Sequence, residues 1–287
     1  MPIDLPQCWA LLKKVTRAWL DDYAPSMGAA LAYYTLFSLA PLLLIVISVA
    51  GLVFGQEAAR GEIAMQLRTL MGEPGASAVQ ALLASVDKPT EGTAATLLGL
   101  LLLLIGATTV FGELQDALDR IWRVPAKNQT SGWMALLRAR VLSFGMILAI
   151  GFLLMVSLVL SAALATMAHW WSPLFGGWLV IASAVNGIAG FFLVAVMFAL
   201  IYKVMPRVHV PWSDVWIGAV FTSLLFTLGK SLIGIYIGRS GIVSGFGAAG
   251  SLVVVLLWVY YSAQIFLIGA EFTWVYANVF GSRKAAD

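Results

Sequence analysis

Cysteine, histidine and charged residues are scarce in this chain, and each shortage argues against certain classes of function. The lone cysteine, Cys8, excludes an intrachain disulfide and a cysteine-based metal cluster. The two histidines, His169 and His209, do not form an HExxH or HxxxH pair. No basic run interleaved with aromatic residues occurs, which argues against a nucleic-acid partner. We therefore expect no metal, no cofactor and no enzymatic activity.

Charged residues make up only 11% of the 287 residues, whereas 61% are hydrophobic and the mean hydropathy is +0.93. Soluble domains carry about 25% charged residues. The N-terminal stretch has no apolar core of a cleavable signal peptide. These features predict an all-α, polytopic membrane protein whose single domain covers residues 1–287.

Six segments are apolar enough and long enough to cross a bilayer, which requires roughly 20 residues. They are 26–54, 94–112, 141–168, 178–202, 215–237 and 248–277. Twelve Lys and Arg residues flank these segments on one side and four on the other, with Lys230 inside a span. Because basic residues accumulate on the cytoplasmic side, both termini are predicted to be cytoplasmic.

Amphipathic helices are expected outside the spans. Leu5, Cys8, Trp9, Leu12, Val15, Thr16 and Trp19 form a stripe at helical spacing, typical of a helix in the cytoplasmic interface. The outer loop 55–93 contains two such stretches, 61–71 and 75–86, separated by Gly72 and Pro74. A cytoplasmic helix should end before Pro125, with Asp116–Arg120 and Asp119–Arg123 as i,i+4 ion pairs on a solvated face.

Three blocks of sequence carry a family resemblance. They are AALAYYTLFSLAPLLLIVISVAGLVFG at 29–55, FGELQDALDRIWRVP at 111–125 and GFGAAGSLVVVLLWVYYSAQIFLIGAEFTWVYA at 245–277. Together they resemble the YihY / virulence factor BrkB family of bacterial inner-membrane proteins. The resemblance implies six spans and an inner-membrane location, and some members are associated with lipid or lipopolysaccharide-precursor export. It brings no catalytic motif.

Charges inside spans cost at least roughly 2.5–3.5 kcal/mol on insertion scales and need a reason. Lys230 either reaches the outer interface with its long side chain or faces a cavity that attracts anionic headgroups. Glu271 either forms a salt bridge with the basic loops or is a proton-titrating or substrate-contacting group. If both have functional roles, they mark the two ends of a polar route with Gln264 and Tyr260 between them.

The remaining candidates are polar, small or kink-forming residues in the spans. Asn186 is expected to bond between helices, and Gly218, Thr222, Gly234 and Gly238 to form a close-packing stripe. Tyr34 and Ser38 precede Pro41, which is either a hinge or a static kink. Glu113, at the end of the second span, is a candidate for ion coupling.

Two functions remain open from sequence. The first is a transporter or flippase-like protein for an amphipathic lipid or a lipid-linked envelope substrate. The alternative is a non-catalytic membrane scaffold that docks envelope proteins through the 112–140 segment and the 55–93 loop. Membrane lipids are the expected partners, and envelope proteins or further copies of the chain remain open.

Overall fold

The structure, a computed structural model, describes residues 5–86, 109–125, 145, 178–246 and 249–284. Within these ranges the chain forms helices and turns without a strand, in agreement with the predicted all-α class. The helices are α1 (Leu5–Asp21), α2 (Ala24–Phe54), α3 (Gln56–Val86), α4 (109–121), α5 (Trp178–Val204), α6 (Trp212–Arg239), α7 (Ile242–Phe246) and α8 (Gly250–Val279).

Three segments in the described ranges are long and apolar enough to cross a membrane: Gly187–Val204, Trp212–Arg239 and Gly250–Val279. They coincide with the last three spans predicted from the sequence. The first predicted span lies within α2. The second and third, at 94–112 and 141–168, lie almost entirely outside the described residues, so the count of six stays a prediction.

One side of α6 is both apolar and exposed. Val220, Leu224, Leu228, Leu232 and Ile235 follow one another at intervals of three or four residues, and each is between 46% and 62% exposed. Exposed apolar residues at helical spacing form a stripe along one face. In water such a stripe is unfavourable, whereas against lipid tails it is the ordinary outer surface of a membrane helix.

The two predicted helical stretches of the 55–93 loop are present as the two halves of α3. Gly72 separates them, with φ 73° and ψ 174°, a backbone conformation that glycine adopts easily and other residues rarely do. Pro74 lies in the first turn of the second half, where its missing N–H costs nothing. The order Gly72, Glu73, Pro74 therefore ends one helix and starts the next within three residues.

The N-terminal segment is helical as predicted, but its buried side differs from the predicted stripe. Leu11, Val15 and Ala18 are buried, while Trp9 is 62% and Leu12 is 44% exposed. The apolar residues of α1 cover two neighbouring faces of the helix. One face packs on protein, and the face that carries Trp9 and Leu12 is left for the predicted interfacial contact.

The chain divides into two compact units. Unit 1 comprises Met1–Val15, Leu118–Leu225 and Gly269–Asp287, and unit 2 comprises Thr16–Ala117 and Phe226–Ile268. The boundaries fall inside α1, α4, α6 and α8, so each of these helices contributes to both units. The single domain expected for 1–287 stays a prediction.

Unit 2 has an apolar core in which α3 packs against membrane-length helices. Its buried members are Met71, Ala78 and Val79 from α3, Ile233 and Ile237 from α6, and Val254 and Val255 from α8. Leu36, Leu39 and Leu43 of α2 and Trp258 of α8 pack around them. Within a bilayer, close van der Waals packing stabilises such contacts between helices. The core therefore fixes the loop helix α3 against α6.

Candidate functional site

A cavity of about 390 Å³ in unit 2 brings α3 and α6 together around two cations. Arg68, Gly72 and Pro74 line it from α3, and Lys230, Ser231, Gly234 and Ile235 line it from α6. The core described above holds both walls, because Met71 and Ile233 are buried members of that core and neighbours of the lining residues. Lys230 thus lines an open pocket of unit 2, and its role in transport stays a prediction.

The α3 side of the cavity owes its shape to Gly72. The glycine breaks the helix immediately after the turn that carries Arg68. Glu73 follows the break, and its Oε2 lies 3.1 Å from Nε of Arg68. Both side chains are exposed, at 56% and 68%, so this ion pair contributes about 0–1 kcal/mol. Arg68 is therefore held only weakly.

Unit 1 contains a reciprocal pair of glycine–threonine contacts between α6 and α8. Each helix has the pattern Gly-x-x-x-Thr, Gly218 to Thr222 in α6 and Gly269 to Thr273 in α8. A Cβ at Gly218 would overlap Thr273, and a Cβ at Gly269 would overlap Thr222. Each threonine hydroxyl donates to the carbonyl of the glycine four residues earlier, at 2.7 Å. Small residues therefore let the two helices approach closely at this level.

The second half of the predicted packing stripe has different surroundings. No described atom lies within 4 Å of a Cβ built at Gly234 or Gly238. Gly234 lines the cavity, and Gly238 is exposed. Among the described residues, the close helix contact is thus formed by Gly218 and Thr222.

Glu271 lies in α8 within unit 1 and is fully buried. It lies two residues after Gly269, which contacts Thr222, and the Thr222 hydroxyl also bonds the Tyr202 hydroxyl at 3.0 Å. Lys230 belongs to unit 2, so the two charges are parts of different units. A route that connects them stays a prediction.

The segments predicted to be cytoplasmic meet in unit 1. Nη1 of Arg207 lies 2.9 Å from Oδ2 of Asp119, and the backbone N–H of Arg207 donates to Oδ1 at 2.8 Å. The backbone N–H and hydroxyl of Ser282 donate to Asp214. The guanidinium of Arg283 lies 5.0 Å from the ring of Trp122. The loop after α4, the loop before α6 and the segment after α8 therefore lie on one side of unit 1.

This arrangement corrects the ion pair predicted between Asp119 and Arg123. Asp119 has a side chain only 2% exposed and pairs with Arg207, 88 residues away in sequence. Arg123 follows the end of α4 with φ 51°, and its guanidinium lies 4.3 Å from the ring of Trp274. The helix ends too early for an i,i+4 pair, so the solvated-face interpretation is wrong for Asp119.

The other predicted site residues lie on separate elements. Nε2 of Gln264 is 3.5 Å and 3.4 Å from the carbonyl oxygens of Ala24 and Pro25, so it contacts the first turn of α2. The hydroxyl of Ser38 donates to the carbonyl of Thr35 at 3.2 Å. The structure places the remaining residues as follows: Tyr34 half-buried on α2, Glu113 half-buried on α4, Tyr260 half-buried on α8, and Asn186 and Pro41 within α5 and α2.

Metal-binding groups are a further possibility that can be checked in the described ranges. There, no group of three or more His, Cys, Asp or Glu side chains is close enough to hold a metal ion. The chemistry available at the cavity is therefore that of two cations, a hydroxyl and an apolar edge. Such a set suits an anionic group attached to an apolar body.

The fold and the site define a helical membrane protein with a cationic cavity beside a membrane-length helix. The family description Virulence factor BrkB matches residues 15–287, and the chain belongs to this family. The chain is 27% identical over 263 residues to a UPF0761 membrane protein of Tolumonas auensis, an alignment that covers 90% of the chain and 82% of that relative. It is 28% identical over 254 residues to one of Pseudomonas aeruginosa strain LESB58, covering 88% of the chain and 59% of the relative.

The match to a UPF0761 membrane protein of Alkalilimnicola ehrlichii has similar proportions, with 28% identity over 280 residues, 95% of the chain and 59% of the relative. The chain therefore spans about three fifths of the length of several relatives that it matches. No solved structure matches the chain. These relatives agree with the resemblance seen in the sequence and place the chain among membrane proteins.

Sequence reasoning missed Arg68 and the role of Gly72. Arg68 was counted as one of the few basic residues of the outer loop, and Gly72 as a separator of two helices. The available signal was the combination: a basic residue, a glycine four positions later and a proline two beyond that. Nothing in the sequence pairs this group with Lys230, because these lining residues are about 160 positions apart.

Proposed function

We propose that this protein is an inner-membrane transporter or flippase-like protein for an amphipathic lipid or a lipid-linked envelope substrate. The observation that carries the proposal is the cavity that contains Lys230. A charge inside a membrane span costs at least roughly 2.5–3.5 kcal/mol, and a hydrated cavity lowers that cost. A cationic cavity beside an exposed apolar helix face suits a molecule with an anionic head and apolar tails.

The proposal includes six spans with both termini in the cytoplasm of a bacterium. Two contacts support this topology. The loops that it places inside meet in one cluster through Asp119–Arg207 and Asp214–Ser282. The α3 segment, which it places outside, packs against Ile233 and Ile237 near the end of α6 that it also places outside. The segments predicted to lie inside thus contact one another, and so do the segments predicted to lie outside.

In this arrangement the cavity lies at the outer end of the transport path. Lys230 is nine residues before the last residue of α6, or about 14 Å along the helix axis at 1.5 Å per residue. In the proposed topology, the backbone of Lys230 therefore lies in the outer half of a hydrocarbon core that is about 30 Å thick. The head of a lipid could enter the cavity while its tails remain in the bilayer.

The test is lipid movement by the purified chain in liposomes. Vesicles with a fluorescent phosphatidylglycerol are treated with an impermeant quencher, and loss of inner-leaflet fluorescence reports movement. We expect wild type and Arg239→Ala to move the probe, and Lys230→Ala to lose most of the activity. Arg239 is the matched control because it is an exposed cation on the same helix and does not line the cavity.

If Lys230→Ala moves the probe at the wild-type rate, the cavity is not part of the transport mechanism. No movement by wild type, with this probe or with a lipid-linked sugar, would refute the transport function.

A further inference from the structure

The cavity in unit 2 combines more features of an anion site than the sequence indicated. Lys230 and Arg68 both contribute to its lining. Within the described ranges, Lys230 has no carboxylate at ion-pair distance. Two cations in one cavity repel each other, and a bound anion removes that cost. Glu73 compensates the charge of Arg68, which leaves the charge of Lys230 for a negative ligand.

The break in α3 adds the start of a helix to the same cavity. The second half of α3 begins after Gly72, and both Gly72 and Pro74 line the cavity. The first N–H groups of a helix have no partners within the helix, and the N-terminal end carries a partial positive charge. They add to the attraction that Arg68 and Lys230 exert on an anion.

The two side chains differ in a way that suits a phosphate group. The planar guanidinium of arginine binds two phosphate oxygens at once, while the lysine ammonium acts as a compact charge. Arg68 is already paired with Glu73, but that exposed pair is weak. An incoming phosphate can therefore replace Glu73 as the partner of Arg68.

The surroundings indicate that the phosphate belongs to a lipid. The cavity of about 390 Å³ is larger than a phosphate ion and has room for a headgroup. Ile235 lines the cavity and is 53% exposed, and the neighbouring Leu232 and Tyr236 are 62% and 57% exposed. The cavity thus continues into an apolar surface of α6 on which acyl chains can lie.

We propose that Arg68 and Lys230 together bind the phosphate group of an anionic lipid beside α6, and that Glu73 holds Arg68 while no lipid is bound. This inference rests on the proposed function, whose substrate class it narrows to lipids with a phosphate that is not covered by a cationic headgroup. It also makes the α3 segment a part of the binding site.

The experiment measures lipid binding to the purified, delipidated full chain in detergent by native mass spectrometry. The probes are dioleoyl phosphatidic acid, dioleoyl phosphatidylcholine and inorganic phosphate. We expect wild type to bind phosphatidic acid at least tenfold more tightly than phosphatidylcholine. Equal affinity for inorganic phosphate would support the anion site and assign it to a soluble ligand.

Variants then test the two cations. Loss of a hydrogen bond to a charged group costs about 1.5–3 kcal/mol, so Arg68→Gln and Lys230→Gln should each weaken phosphatidic acid binding by at least about tenfold. Glu73→Gln should strengthen binding by up to about fivefold, because it removes a competing pair worth up to about 1 kcal/mol. The matched control for Arg68 is Arg60→Gln, an exposed cation on the same half of α3 that does not line the cavity.

Unchanged binding by Arg68→Gln would overturn the inference. So would weaker binding by Glu73→Gln, which would show that the carboxylate positions Arg68 instead of competing for it. Arg68 is exposed, so its replacement tests the site even if the Lys230 variant does not fold. If the protein moves lipid and Arg68→Gln has no effect, only this inference is refuted. If the protein binds phosphatidic acid but does not move lipid, only the proposed transport function is refuted.

Discussion

The contact between Gly269 and Thr222 allows a quantitative prediction about how tightly α6 and α8 must pack. Replacing Gly269 by alanine adds one methyl group, which overlaps the Thr222 hydroxyl and lies 2.6 Å from the Tyr202 hydroxyl. Neither the Thr222 hydroxyl nor the Tyr202 hydroxyl can move away without breaking a hydrogen bond. Thr222 donates to the carbonyl of Gly218 at 2.7 Å, and its hydroxyl and that of Tyr202 are 3.0 Å apart.

Three contributions set the size of the effect, two that destabilise and one that stabilises. Overpacking of one methylene into a close-packed contact costs about 1–3 kcal/mol. Breaking one of the two hydrogen bonds to make room adds about 1 kcal/mol. Alanine regains about 1 kcal/mol over glycine in a helix interior. We therefore expect Gly269→Ala to lower the free energy of unfolding by about 1–3 kcal/mol.

The matched control is Gly187→Ala in α5. Gly187 is exposed, and no described atom lies within 4 Å of a Cβ built there, so this variant keeps only the gain in helix propensity. Unfolding in mixed detergent micelles, followed by circular dichroism, measures both. Thr222→Ala in the Gly269→Ala background should recover part of the loss, since the overlapping hydroxyl is gone. If Gly269→Ala is as stable as Gly187→Ala, the close approach of α6 and α8 is wrong.

Three further predictions concern the topology, the cluster in unit 1 and the cavity. Reporter fusions at residues 20, 130 and 280 should read as cytoplasmic and one at residue 75 as external, and a translocated residue 280 would exclude six spans. Asp119→Ala should destabilise the protein by about 3 kcal/mol in thermal unfolding, because it leaves the Arg207 guanidinium in a partly buried place without its carboxylate; a double variant with Arg207→Ala should be closer to wild type. Gly234→Leu should fill part of the cavity and weaken phosphatidic acid binding at unchanged abundance, and a fall in abundance with intact binding would instead show that Gly234 packs against another helix.

The sequence was informative where one physical requirement acts along a continuous segment. The length and hydropathy of 178–202, 215–237 and 248–277 predicted three helices whose observed bounds differ from the prediction by at most three residues. Gly72 and Pro74 predicted the break in α3, because a helix cannot pass through a glycine with positive φ. The three helices and the break in α3 both depend on residues that are close together in the sequence.

Contacts between distant segments were harder to predict. Arg123 lies four positions after Asp119, so the local spacing predicted an ion pair between them. Because α4 ends before Arg123, Asp119 pairs with Arg207 instead. The regular spacing of Gly218 to Gly238 indicated one uniform stripe, but its surroundings change along α6 from a helix contact at Gly218 to a cavity at Gly234. A period of four residues shows which side chains share a face, and the tertiary fold determines what each level of that face meets.

The cluster in unit 1 also has a consequence for the order in which the chain is assembled. Its contacts join Trp122, Asp214, Ser282 and Arg283, and the last two are synthesised only after α8. Until then Asp214 lacks its two donors from Ser282, and Trp122 lacks its covering guanidinium. Closure of the cluster therefore marks the completed insertion of α8. In a chain stalled before this point, the hydroxyl of Ser213 would still donate to Asp214, but both donors from Ser282 would be missing.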